Sequence, residues 1–81
     1  MTYVAEGSYY PSIAVVPIGL GGYEGETLNE AVSILMDEIR EFFRDAEENS
    51  WWDDVTITIE HENVRTKYPF EYWAKHFGWS Y

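Results

Sequence analysis

The chain has 81 residues, a formal net charge of −10 and no cysteine, so it is long enough for one domain and can form neither a disulfide nor a thiolate metal site. Its carboxylates repel nucleic acid and anionic membranes, which excludes direct binding to either but permits a basic protein partner. Aromatic residues make up 19% of the chain, enough for large rings to fill the dense core that so small a domain needs.

The N-terminal part of the chain predicts two strands. Residues 2–5 form a short strand and residues 6–8 a turn. Residues 13–18 are almost continuously apolar, which predicts a strand that is buried on both sides or at a packed edge. Pro17 has no backbone donor and therefore places this strand at an edge or near its own end.

The glycine-rich residues 19–25 are predicted to form a flexible connector. A phosphate-binding loop is rejected, because Glu24 stands where the third glycine of the dinucleotide fingerprint belongs and no Gly-Lys-Ser/Thr sequence follows. A functional alternative is a mobile loop that presents Tyr23 to a partner.

Residues 27–48 predict one long amphipathic helix. Thr27 and Glu30 form a capping box, in which the Glu30 carboxylate reaches back to the Thr27 amide. Asn49 suits the left-handed position that ends a helix. Apolar residues recur at three- and four-residue steps and predict a core-facing stripe, which comprises Leu28, Ala31, Val32, Leu35, Ile39, Phe42, Phe43 and Ala46, widened by Ile34 and Met36.

The opposite face of this helix is strongly acidic. Arg40 and Arg44 are its only cations, and the pairs Asp37–Arg40 and Glu41–Arg44 have the spacing of helical ion pairs. Its carboxylates are Glu30, Asp37, Glu38, Glu41, Asp45, Glu47 and Glu48. Two interpretations stay open, a solvated solubilising face and a surface that faces a basic partner.

The C-terminal part predicts a return, a strand and a short helix. Residues 51–54 form a tight return, and the alternation of Val55, Ile57 and Ile59 with polar residues predicts a half-buried strand over 55–60. Residues 64–67 either extend that strand or pair back as a further one. Thr66 is predicted to cap a helix at about 67–77, which Gly78 ends.

These elements predict an α+β fold. A small antiparallel sheet of two to four strands carries the long helix (about 27–48) across one face, and the short C-terminal helix covers the other face or leaves it wet. Residues 1–81 are predicted to form a single compact α+β domain. No signal peptide or membrane span is evident, because the longest apolar run is short and interrupted by Pro17 and Gly19, so we expect a cytoplasmic protein, in the host cytoplasm if the source is viral.

Residues capable of chemistry are scarce. His61 and Glu62 match the first two residues of the zinc-protease motif His-Glu-x-x-His, but Arg65 stands where the second histidine belongs. The acids near Asp53 and Glu60 do not follow the spacing of a calcium loop. The sequence therefore predicts no enzyme, no catalytic residue, no metal site and no cofactor.

The uneven distribution of charge predicts the function. Residues 24–62 carry thirteen acids and two arginines, so we expect a small acidic interaction or inhibitor protein that binds a basic site on a nuclease or another nucleic-acid-binding protein. Tyr23, Trp51 and Trp52 are predicted as its aromatic anchors. The acidic members of the predicted partner-binding set are Asp37, Glu38, Glu41, Asp45, Glu48, Asp53, Asp54, Glu60 and Glu62.

In size, charge and α+β character the chain resembles the small acidic inhibitors that phages make against host nucleases, the anti-CRISPR and anti-restriction proteins. The likeness is in these bulk properties and includes no family motif. It implies nucleic-acid mimicry. The alternative function is a self-associating structural or accessory domain, a homodimer whose interface uses exposed rings such as Tyr9, Tyr10, Trp79 and Tyr81.

Overall fold

The computed structural model describes residues 2–45 and 51–78. It has an α+β fold in which a four-stranded antiparallel sheet packs against one longer and one shorter helix. In chain order the elements are β1 (Tyr3–Tyr9), β2 (Ile18–Gly25), α1 (Leu28–Phe42), β3 (Val55–His61), β4 (Val64–Pro69) and α2 (Phe70–His76), with a 3₁₀ turn at Trp51–Asp54 before β3.

The sheet has the strand order β2-β1-β3-β4, so β1 and β3 are its central strands. The predicted strand at 55–60 is confirmed as β3, where Val55, Ile57 and Ile59 are buried. Residues 64–67 pair back on β3 as part of β4. Glu62 and Asn63 connect these two strands with positive φ angles of 52° and 67°, as in the two-residue hairpin turns that match the twist of a sheet.

The capping box of α1 is confirmed at its first hydrogen bond. The Glu30 amide donates to Thr27 Oγ1 over 3.2 Å, but the Glu30 carboxylate accepts from the Glu26 amide and not from that of Thr27. The helix ends at Phe42, earlier than the predicted end at 48, and residues 43–45 form a turn. The predicted cap Asn49 and the predicted site residue Glu48 lie outside the described residues.

Both helices pack on the same face of the sheet. The buried side chains of α1, which include Val32, Leu35 and Ile39, join Phe70 and Trp73 of α2 and the inward residues of β3 in one core. A hydrogen bond between His76 Nε2 of α2 and Asn29 Oδ1 of α1, 3.3 Å long, links the two helices directly. The opposite face of the sheet is therefore covered by neither helix.

The predicted strand at residues 13–18 is wrong, as is the predicted flexible connector that follows it. Residues 10–17, called here the apolar loop, connect β1 to β2, and the glycine-rich segment is the edge strand that pairs with β1. Pro11 and Pro17 bracket the loop and have no N–H to donate to a ladder. At the end of β2, Gly25 lies against the helix, because a Cβ added there would lie only 2.6 Å from the backbone nitrogen of Ala31.

The predicted turn at residues 6–8 and the predicted Thr66 cap are also wrong. Gly7 is a buried residue within β1, where an added Cβ would lie 3.0 Å from Leu20 Cβ and 3.2 Å from Leu35 Cδ1, so these neighbours would have to shift by a few tenths of an ångström. Thr66 belongs to β4, and α2 begins after Pro69 without a side-chain cap. The predicted helix end at Gly78 is confirmed, because this glycine has a φ of +71° and follows Phe77, the C-cap residue of α2.

Candidate functional site

The outer surface of α1 presents a row of carboxylates. The helix buries one stripe against β1 and β2, and its 3.6-residue period directs the remaining positions to solvent. All the described acids of the helix and of the turn after it are exposed, namely Glu30, Asp37, Glu38, Glu41 and Asp45. We call these five residues the acidic surface of α1.

Ion pairs neutralise only part of the acidic surface. Arg44 pairs with Glu41 over 2.8 Å, as predicted, and with Asp45 over 3.6 Å. These groups are exposed, so each pair contributes at most about 1 kcal/mol and weakens as salt rises. Five carboxylates against Arg40 and Arg44 leave a net charge of −3 on this surface.

Two apolar side chains of α1 stand beside these carboxylates. Phe42 is 57% exposed and Ile34 is 43% exposed, although the sequence predicts both within the core-facing stripe. Neighbouring residues of a helix point about 100° apart, and Phe43 takes the inward position, where it stacks on Trp51 with ring centroids 4.1 Å apart. The pair Phe42–Phe43 was itself a signal that one of the two rings must face outward.

The other predicted acids are distributed around the domain. Glu60 lies on the uncovered face of the sheet, where Arg65 contacts it over 3.6 Å and also contacts Glu6 over 3.1 Å. Glu62 is in the β3–β4 turn, and Asp53 and Asp54 are in the 3₁₀ turn. Glu60 is thus separated from the acidic surface of α1 by the thickness of the sheet.

The predicted aromatic anchors pack against the core. Trp51 is half-buried between Phe43 and Phe70, and Trp52 meets Trp51 edge to face with centroids 5.7 Å apart. Tyr23 packs inward from β2. Of the rings invoked for self-association, Tyr9 packs edge to face on Phe43 and Tyr10 is exposed. Trp79 and Tyr81 lie outside the described residues.

The uncovered face of the sheet forms a second distinctive surface. Residues directly opposite one another on neighbouring strands share a face, and the strand registers place hydroxyl residues, glycines, a few charged residues, Val4 and Pro69 here. We call this surface the open face; its charged residues are Glu6, Glu24, Glu60, Arg65 and Lys67. The apolar loop borders it across a groove of about 390 Å³.

The apolar loop is the feature that sequence reasoning missed most clearly. Ile13 and Val15 are 88% and 90% exposed, and Val16 is also exposed. Apolar side chains grouped in this way on the surface of a small protein mark a contact site more often than singly exposed ones do. The signal in the sequence was the pair of prolines that bound this apolar run, because neither has an N–H to donate to a strand ladder.

Within the described residues, no group of three or more potential metal ligands converges on one point. The helices found at residues 2–45 and 51–78 are too short and too polar for any of them to cross a membrane. In comparisons with protein-family models, with curated proteins and with solved structures, nothing matched this chain.

Proposed function

We propose that this protein binds a basic, nucleic-acid-binding surface of another protein through the acidic surface of α1, and that it inhibits nucleic-acid binding by that partner. The observation that carries the proposal is a group of five exposed carboxylates, four on α1 and Asp45 in the turn after it, with a net charge of −3 after Arg40 and Arg44 are counted. A solubilising face needs no particular arrangement, whereas carboxylates on a packed helix are held at fixed positions relative to one another.

The spacing of the acids favours a site built for a single strand of nucleic acid. Glu30, Asp37, Glu38 and Glu41 occupy about 17 Å of helix axis, so the mean step between successive carboxylates is roughly 5.5 Å. Duplex DNA presents one phosphate charge per about 1.7 Å of axis, and one strand presents a charge per about 3.4 Å. The partner proposed is therefore a protein whose lysines and arginines line a groove for one strand.

The exposed apolar side chains give this surface an anchor. Charge alone produces fast but weak and salt-sensitive association, and most binding energy at protein interfaces comes from a few well-packed side chains. Phe42 stands next to Glu38 and Glu41 on the helix surface and needs no unfolding to insert into an apolar pocket. We assign the anchoring role to Phe42 in preference to Trp51 and Trp52, because both Trp rings pack against the core.

The proposal is tested by capture of partners from nuclease-treated cell lysate, followed by direct binding with the purified partner. The double variant Asp37→Asn/Glu38→Gln should lower the affinity about tenfold or more, and raising the salt should weaken wild-type binding. Single-stranded DNA should compete with the protein for the partner. A partner that binds the double variant as tightly as wild type would refute the assigned surface.

A matched control separates the position of the charges from their number. Glu26→Gln/Glu71→Gln removes two exposed carboxylates that lie outside the acidic surface of α1, so it changes the net charge equally. This control should keep most of the affinity. Equal weakening by the two double variants would mean that net charge, and not the helix surface, governs binding.

A further inference from the structure

We propose that two copies of this chain associate through their open faces, with the apolar loop of each copy seated on the sheet of the other. The proposal goes beyond the assigned partner-binding surface and does not depend on it, because α1 lies on the other side of the sheet. In such a dimer the two acidic surfaces point outward in opposite directions, so that each remains available to a partner.

The first observation is the exposure of the apolar loop next to a sheet surface that neither helix covers. Val15 and Val16 of the loop are mostly exposed, and the Tyr10 hydroxyl donates to the Val15 carbonyl over 3.5 Å. Ile13 lines a different groove, beside Tyr9 and Asp54. The groove between the loop and the sheet is lined by Tyr10 and Pro17 on one side and by Thr56 and Thr58 on the other. The apolar loop therefore forms one wall of a groove on the open face, and a second copy of the chain presents the same loop and the same groove.

The second observation is electrostatic and selects this surface for contact between identical chains. Two molecules that each carry −10 repel one another unless they meet where charge is nearly balanced. The open face holds three carboxylates and two cations, a net charge of −1, and no charged residue occurs between Glu6 and Glu24 in the sequence. The acidic surface of α1, with −3, opposes such contact.

The third observation is the order of charges across the open face. Glu24 lies on the edge strand β2, and Arg65 and Lys67 lie on the opposite edge strand β4. A twofold axis parallel to the strands places β4 of one copy over β2 of the other. The register puts Arg65 and Glu24 at the same level across the sheet, and Lys67 at the level of Gly22. Arg65 then faces Glu24 of the second copy, and Gly22 leaves space for the Lys67 side chain.

The area of this surface suits a dimer of moderate affinity. Four strands about 4.8 Å apart, with about six residues each, outline a face of roughly 400 Å² in projection. The exposed side chains of the apolar loop extend it toward the area of about 800 Å² per partner that is usual for specific interfaces. The strands of the two sheets would run nearly parallel to one another, which is the common arrangement when two sheets pack face to face.

The test is sedimentation velocity of the full chain over about 1–300 µM, a range that spans the dissociation constants of moderate complexes. Wild type should shift from monomer to dimer with concentration. Val15→Asp should raise the dissociation constant about tenfold or more. Val64→Asp introduces the same charge at an exposed position outside the open face and should leave the dimer nearly unchanged.

Charge reversal at Glu24 distinguishes this interface from general charge effects. Glu24→Lys changes the net charge from −10 to −8, so it would favour non-specific association, yet it places a cation opposite Arg65 of the second copy and should weaken the proposed dimer. Glu38→Lys makes the same change on the outer side of α1 and should leave the dimer intact or strengthen it. A wild-type chain that stays monomeric throughout, or a dimer that tolerates both Val15→Asp and Glu24→Lys, would overturn the proposal.

Discussion

Gly25→Ala tests how closely α1 packs against β2. The added Cβ would lie 2.6 Å from the Ala31 nitrogen and 2.9 Å from Glu30 Cβ, about 1 Å short of an ordinary van der Waals distance. The nearest atom belongs to the backbone, and Ala31 N donates the first hydrogen bond of the helix, to Thr27 O over 3.2 Å. A rotamer change therefore cannot relieve the contact, and the first turn of α1 has to move away from the strand.

The magnitude follows from two opposing terms. Overpacking of this kind destabilises the folded state by about 1–3 kcal/mol. Replacing glycine by alanine stabilises it by about 0.4–1 kcal/mol, because alanine reduces the conformational entropy of the unfolded chain. The difference of the two ranges runs from about 0 to 2.6 kcal/mol, and their midpoints give an expected loss of about 1.3 kcal/mol in the free energy of unfolding of Gly25→Ala. Gly19→Ala in the same strand is the control, because no atom lies within 4 Å of its added Cβ, and it should be neutral or stabilising by up to about 1 kcal/mol.

The assay is urea and thermal unfolding followed by circular dichroism at low protein concentration. The expected difference of about 2 kcal/mol between the two variants corresponds to roughly 8–16 °C in Tm for a domain of this size. The urea m-value should be unchanged, because both variants bury nearly the same surface. Equal stability of Gly25→Ala and Gly19→Ala would refute the close packing of α1 on the end of β2.

Two further substitutions probe α1 itself, both measured by urea unfolding. Thr27→Ala should lower the free energy of unfolding by about 1 kcal/mol, because it removes the acceptor of the Glu30 amide. Thr27→Ser retains a hydroxyl and should keep most of that energy. Equal losses in the two variants would show that the cap hydroxyl does not stabilise the helix. Phe43→Ala should lower the free energy of unfolding by about 3–5 kcal/mol, since the ring is buried against Trp51. Phe42→Ala should lower it much less, because the Phe42 ring is mostly exposed. The reverse order would mean that α1 is rotated so that Phe42 faces the core.

The candidate site was predicted in part. The sequence identifies the carboxylates of α1, because helical periodicity separates them from the apolar stripe. It does not separate Glu60 from them, since a residue on a neighbouring strand reaches one face of the sheet or the other according to register. Nor does it reveal that Phe42 faces outward, because Phe42 and Phe43 both fit the apolar pattern until Trp51 packs on one of them.

The structure of the apolar loop was predicted wrongly for a different reason. Residues 13–18 have the composition of a buried strand, yet burial needs a partner surface, and β1 pairs instead with the glycine-rich residues that follow. Those glycines look like a connector because they contribute little hydrophobic area. They are nevertheless suited to β2, where α1 approaches the strand backbone at Gly25.

The sequence by itself determined the fold class, the start of α1, the alternation of β3 and the concentration of acid along the helix. Each of these depends on residues within a few positions of one another, so the chain records them locally. Only the tertiary structure decided which segments pair as β1 and β2, that both helices lie on one side of the sheet, and that the open face and the apolar loop stay uncovered by either helix. These outcomes depend on contacts between residues far apart in the chain, where the space left by a missing side chain matters as much as the side chains that are present.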